Sequence, residues 1–152
     1  MSKEEAEKRA FQYFQSGFHC AEAISKALTE LLEKEDGSYS PKVATGLGGG
    51  IGGSHLETCG TLTGGIIALG WLFGRIKPGE DKTRIYELAS EFRRRFLEKF
   101  GSCNCQILLE KFGKQENAMK CKKLTAEAAG MLWELLIEKG GSKSLEHRTE
   151  NA

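Results

Sequence analysis

Residues 46–74, GLGGGIGGSHLETCGTLTGGIIALGWLFG, place the tightest limit on what this chain can fold into. Six glycines between Gly46 and Gly53 cannot hold a regular element cheaply, because glycine loses the most backbone entropy on ordering. That part reads as loop. From Cys59 to Phe73 the chain reads as one buried helix. No charge falls between Glu57 and Arg75, and the apolar residues from Ile66 to Phe73 cover more than one helix face. Gly60/Gly64 and Gly70/Gly74 are each spaced four apart, which lines up small residues and lets a second backbone come close. Cys59 stands where loop becomes helix. Free N–H groups and the positive end of the helix dipole favour a thiolate there.

The rest of the chain supplies helices to surround this one. Apolar residues at helical spacing predict helices over residues 3–15, 19–34, 81–100, 103–112 and 117–139. Ser40-Pro41 reads as N-cap and first position of a short helix ending near Leu47. Ser16-Gly17, Gly101, Gly113 and Gly140-Gly141-Ser142 read as helix stops. Glu35-Asp36-Gly37-Ser38 and Lys77-Pro78-Gly79 read as loops. Phe11, Phe14, Trp71, Phe92, Phe96 and Trp133 are expected in the core. No alternating strand pattern is present. The predicted fold is all-α, a single-domain bundle of five or six main helices over residues 1–140 around a buried Gly-rich central helix. A disordered tail is expected over 141–152.

With 22 basic and 21 acidic residues, the chain offers no electrostatic case for nucleic acid or an anionic membrane as partner. The central apolar run is broken by glycines and falls short of the ~20 residues of a membrane span. The first ten residues, MSKEEAEKRA, lack the apolar core of a signal peptide. A cytoplasmic protein is expected.

Five cysteines are unusual in a reducing compartment, where structural disulfides are disfavoured. Cys20, Cys59, Cys103/Cys105 and Cys121 each fall near a predicted helix start, a place that lowers thiol pKa and binds anions. There is no C-x-x-C, no ferredoxin-type run and no C-x-x-C-H for covalent haem. Any four-cysteine site must therefore be assembled by the fold from distant segments. His19, His55 and Glu57 lie close enough in sequence to act as ligands or proton acceptors. Residues Gly48–Gly53 match G-x-G-x-x-G, but no strand precedes them and no acid follows about twenty residues on, so no nucleotide is expected.

Several of these residues recur in a known pattern. Gly17-Phe18-His19-Cys20-Ala21, the Gly-rich loop, Cys59-Gly60-Thr61-Leu62-Thr63-Gly64-Gly65, Phe100-Gly101-Ser102 before Cys105, and Cys121 resemble the redox-active protein family named for its C_GCAxxG_C_C cysteine pattern. Thr61 stands where the family usually has Ala, and Cys103 is additional. The resemblance implies a small helical protein, often from anaerobes and encoded near transporter genes, related to a domain of a split-Soret cytochrome. Carried over by position, it implies Cys20, Cys59, Cys105 and Cys121 as the functional cysteines.

Three functional expectations follow. In the first, Cys20, Cys59, Cys105 and Cys121 form one thiolate site for an iron–sulfur cluster or another metal such as zinc, with Gly60 and Gly64 lining it, for electron transfer to a redox partner or for metal handling. In the second, Cys59 is a metal-free catalytic thiol of low pKa and another cysteine resolves it. In the third, the chain is a helical interaction module with Arg93-Arg94-Arg95 as a docking face. A homodimer is compatible with each.

Overall fold

The computed structural model describes the backbone of residues 2–33 and 38–150, and side chains as far as residue 139. Among the described residues, six α-helices and one 3₁₀ helix follow one another: α1 (Lys3–Gln15), α2 (Cys20–Glu33), the 3₁₀ helix (Pro41–Leu47), α3 (Gly60–Phe73), α4 (Thr83–Phe100), α5 (Cys105–Phe112) and α6 (Met119–Glu150). The described residues contain no strand, and the protein is all-α. None of their helices is long and apolar enough to cross a membrane.

Local chemistry sets the helix ends. The Ser2 hydroxyl accepts the Glu5 N–H at 3.1 Å, and the Asn104 side chain accepts the Ile107 N–H at 3.1 Å, so α1 and α5 begin on side-chain caps. Gly101 closes α4 in the left-handed conformation, φ 83°. Pro41 starts its segment as expected, but seven residues ending at Leu47 wind as 3₁₀.

The central helix is α3. It packs most extensively on α2 and also meets α4 and α6, while α1 lies along α6. Ile24 and Leu28 of α2, Leu69 and Leu72 of α3, Phe92 and Phe96 of α4, and Leu132, Leu135 and Leu136 of α6 fill the space between them, all essentially buried. Gly64 sets the closest approach. A Cβ there would stand 2.4 Å from the Ala21 carbonyl oxygen and 2.6 Å from Ala21 Cα, so the α2 and α3 backbones touch.

Some expectations are corrected. The Gly70/Gly74 pair is not where a second backbone comes close: a Cβ at Gly70 would meet nothing within 4 Å, and the nearest atoms to one at Gly74 belong to α3's own Gly70. Trp71 is 42% exposed, not core. Its indole N–H donates to Glu33 at 2.6 Å and its ring meets Tyr39 edge-on at 5.5 Å, which suits a ring with a polar tip. Phe11 and Phe14 are half-buried. Arg94 pairs with Glu91 and Glu98, and Arg95 with Glu91 and Glu138, so much of the basic cluster on α4 is neutralised in place. α6 passes through Gly140-Gly141-Ser142 and continues to Glu150. Each glycine costs ~1 kcal/mol against alanine but does not forbid a helix. The loop expected at 35–38 falls largely on residues outside those described, as do the last two residues of the expected tail.

Candidate thiol site

The glycine-rich loop is a run of left-handed backbone. Gly49, Gly50, Ile51, Gly52 and Gly53 all have φ between 58° and 70°. This region costs L-residues ~1–2 kcal/mol and glycine little, which explains four of the five identities. The turn is closed by backbone bonds from Gly52 to Gly46 at 2.8 Å, Gly53 to Gly48 at 3.0 Å and His55 to Gly49 at 2.8 Å. It delivers the chain to an isolated antiparallel bridge between Thr58 and Asn104. There the Cys59 N–H donates to the Cys103 carbonyl at 2.7 Å, and the Cys105 N–H to the Glu57 carbonyl at 2.9 Å. The Asn104 side-chain amide ties down the Leu56 carbonyl at 3.0 Å. The starts of α3 and α5, and with them Cys59 and Cys105, are thereby fixed side by side.

Two further cysteines reach the same place. Cys20 opens α2, and its sulfur fills the space above Gly60: a Cβ at Gly60 would lie 2.5 Å from Cys20 Sγ. Gly50 makes a similar allowance for Cys105, whose Cβ would be 2.6 Å from an added Cβ. Cys121 lies in the first turn of α6. Cys20, Cys59, Cys105 and Cys121 line one cavity of about 240 Å³. Its remaining wall is mostly apolar, from Phe14, Leu108, Leu109, Phe112 and Leu124, with His19 and His55 also lining it. All five cysteines are free thiols.

Cys103 is not part of this lining. It is half-buried, burial pushes its thiol up, and the Arg93 guanidinium pulls the other way. Gly60 lines the cavity as expected; Gly64 does not, because Ala21 occupies its open face. Glu57 is exposed and takes part through its backbone carbonyl. Among the described residues, no three His, Cys, Asp or Glu side chains are gathered closely enough to hold a metal ion as they stand.

The electrostatics reverse one expectation. Burial, with charge on Cys20 as the second cause, pushes the Cys59 thiol up to about 12. The Thr61 N–H opposes this. It offsets little, since the Cys59 side chain makes no capping hydrogen bond. Burial also raises Cys105, with Cys20 and Cys121 adding to the shift. It raises Cys121, where an amide of Gln115 pulls the other way. Desolvation thus outweighs the helix starts. The sulfurs sense one another, and each thiolate disfavours the next.

Three polar residues that the sequence did not single out as site residues organise this cavity. Thr61 and Thr125 are buried and hydrogen-bonded at 2.8 Å, joining α3 to α6. Gln115, in the turn between α5 and α6, lines the cavity. A threonine in a helix or a glutamine in a loop carries no sequence signal for such a role, because each acts through a partner distant in the chain or beyond a turn.

The geometry agrees with a family assignment. The sequence profile of the family described as Putative redox-active protein (C_GCAxxG_C_C) matches residues 18–135. The chain belongs to this family. The match spans all four cavity cysteines, so the pattern that names the family coincides here with one cavity. No curated protein and no solved structure matches the chain.

Proposed function

We propose that this member of the family holds an iron–sulfur cluster on Cys20, Cys59, Cys105 and Cys121 and uses it to pass electrons to a partner protein in a reducing compartment such as the cytoplasm. The observation that carries this reading is the convergence of four cysteines from four separate segments on one apolar cavity. Four thiolates are a donor set that iron–sulfur clusters and zinc both accept. The cavity volume, about 240 Å³, is several times the ~30 Å³ share of one water. Four sulfurs spread around such a space suit a multi-atom cluster better than a single ion.

The raised thiols support the same reading. Without a cation, burial and mutual repulsion keep these sulfurs protonated. A bound cation inverts this logic, because coordinating thiols are deprotonated outright. When bound, a cluster would supply one-electron chemistry at a potential set by burial and by hydrogen bonds to sulfur. The chain itself contributes the four sulfurs, the apolar wall of Phe14, Leu108, Phe112 and Leu124, and the close approach at Gly60 that admits Cys20. A metal-free role with Cys59 as attacking thiol fits less well, since the thiolate is the nucleophile and burial disfavours it here.

Anaerobic purification without a chelating step tests the reading. Iron and acid-labile sulfide in matching amounts, with broad visible absorption, are expected. Stoichiometric zinc without colour would move the assignment to metal holding, and a colourless metal-free protein after anaerobic reconstitution would overturn it.

A further inference from the structure

Gln115 sits in the sharply bent connection from α5 to α6. Gly113, Asn117 and Ala118 there all have positive φ, 66°, 51° and 55°. For Ala118 this is a costly conformation, and strain of this kind persists only where surrounding contacts impose it. The bend folds the Gln115 side chain back over the start of α6. Its Oε1 accepts the Lys120 N–H at 2.9 Å and the Cys121 N–H at 3.1 Å, two donors that a helix start leaves without intrahelical partners. The Met119 and Lys122 N–H groups bond instead to the carbonyls of Glu116 and Ala118.

These two bonds fix which way the amide points. An atom that accepts two backbone N–H groups must be the oxygen, so the other atom is the NH₂. That Nε2 lies 3.2 Å from Cys121 Sγ and donates to it. Cys121 is held at a third atom as well, because the Thr125 hydroxyl donates to its carbonyl at 2.9 Å. Nitrogen, sulfur and carbonyl oxygen of one cavity cysteine are all engaged by side chains.

We propose that Gln115 is a positioning residue for the thiol site, holding the Cys121 sulfur at the cavity and stabilising negative charge on it through the Nε2–H···Sγ hydrogen bond. This rests on the reading of Cys121 as a thiolate donor. Hydrogen bonds to ionised acceptors are about twice as strong as neutral ones, so the bond favours an electron-rich sulfur over a thiol. Gln115 also lines the cavity, as Cys121 does.

Gln115→Glu separates this role from helix capping. The carboxylate keeps the acceptors for Lys120 and Cys121 N–H and suits a helix N-terminus, but it replaces the N–H donor with an acceptor facing sulfur. Peptide mass spectrometry of the metal-free protein, alkylated with iodoacetamide at one fixed pH, reads each cysteine separately. Alkylation of Cys121 is expected to slow by about tenfold or more, the worth of one charge-assisted hydrogen bond, with Cys20 unchanged and the melting temperature held. Gln115→Ala, which loses the cap too, is expected to slow Cys121 and melt lower. An unchanged Cys121 rate in Gln115→Glu, or an equal change at every cysteine, would overturn the proposal. A wild-type protein that takes up no cluster or zinc while Gln115→Glu still slows Cys121 would sink the cluster reading alone.

Discussion

The hydroxyls of Thr61 and Thr125 meet at 2.8 Å in the interior, with both residues essentially inaccessible to water. Thr61 stands two residues after Cys59, and Thr125 four after Cys121, so this one bond ties together the two helix starts that carry those cysteines. Thr125 also donates to the Cys121 carbonyl, which leaves Thr61 as the donor within the pair. Replacing Thr125 with valine keeps the shape and strands the Thr61 hydroxyl, whereas replacing Thr61 leaves Thr125 bonded to the Cys121 carbonyl. Thr125→Val is expected to cost about 1–3 kcal/mol in denaturant unfolding and Thr61→Val about 0.5–1.5 kcal/mol. The double variant should cost less than the sum, with a coupling of about 0.5–3 kcal/mol. Additive losses would mean the hydroxyls do not act as a pair.

The α2–α3 contact makes a sharp distinction between two glycines of the same helix. Gly64→Ala would drive a Cβ to 2.4 Å from the Ala21 carbonyl oxygen, where only backbone movement can relieve it. A loss of about 1–3 kcal/mol or more is expected. Gly70→Ala meets nothing within 4 Å and should stabilise by up to ~1 kcal/mol through helix propensity. Melting temperatures of the two variants, moving in opposite directions, check this.

Ile51 is the one β-branched residue in the left-handed run, φ 70°, and is half exposed. Ile51→Gly should relieve the strain and raise stability by roughly 0.5–1 kcal/mol, the left-handed cost less glycine's entropy. Gly52→Ala, in open space at φ 62°, should lower it by ~1 kcal/mol. Both are read from denaturant midpoints.

For the metal-free protein, Cys59 sets an alkaline limit. Its folded pKa, about 12, lies above the ordinary 9.0, so between these values the unfolded chain has lost a proton that the folded chain retains. Fewer protons on the unfolded state mean that stability falls as pH rises. The contribution is complete below about 9 and is lost as pH climbs through about 12. Cys105, Cys121 and Cys103 shift in the same direction. Unfolding free energies measured across that window should decline for the wild type and decline less for Cys59→Ala.

Much of this architecture was legible in the sequence. Periodicity located the start of every α-helix to within about two residues, though not the end of α6, and Gly101, Gly113 and Pro41 marked real boundaries, because those signals act locally. The uncharged run at 58–74 identified the helix at the centre. Cavity membership was legible only as a set of cysteines without useful spacing, since Cys20, Cys59, Cys105 and Cys121 meet through packing that no short window encodes. The expected low pKa of Cys59 failed for a related reason. A helix start is visible in the chain, whereas the desolvation that outweighs it arises from the packing of segments far apart in sequence. Gln115 and the Thr61–Thr125 pair were invisible as site residues for the same cause, and Trp71 read as core because hydropathy does not show that its N–H would find Glu33.

Iron, zinc and acid-labile sulfide content per chain, measured on anaerobically reconstituted wild type and the five single Cys→Ser variants, bears most directly on the thiol site. Cys20→Ser, Cys59→Ser, Cys105→Ser and Cys121→Ser should each lose most of the bound iron and sulfide, and Cys103→Ser should retain it. Full retention in all four, or a loss in Cys103→Ser equal to theirs, would contradict the assignment of these four cysteines to one metal-holding cavity.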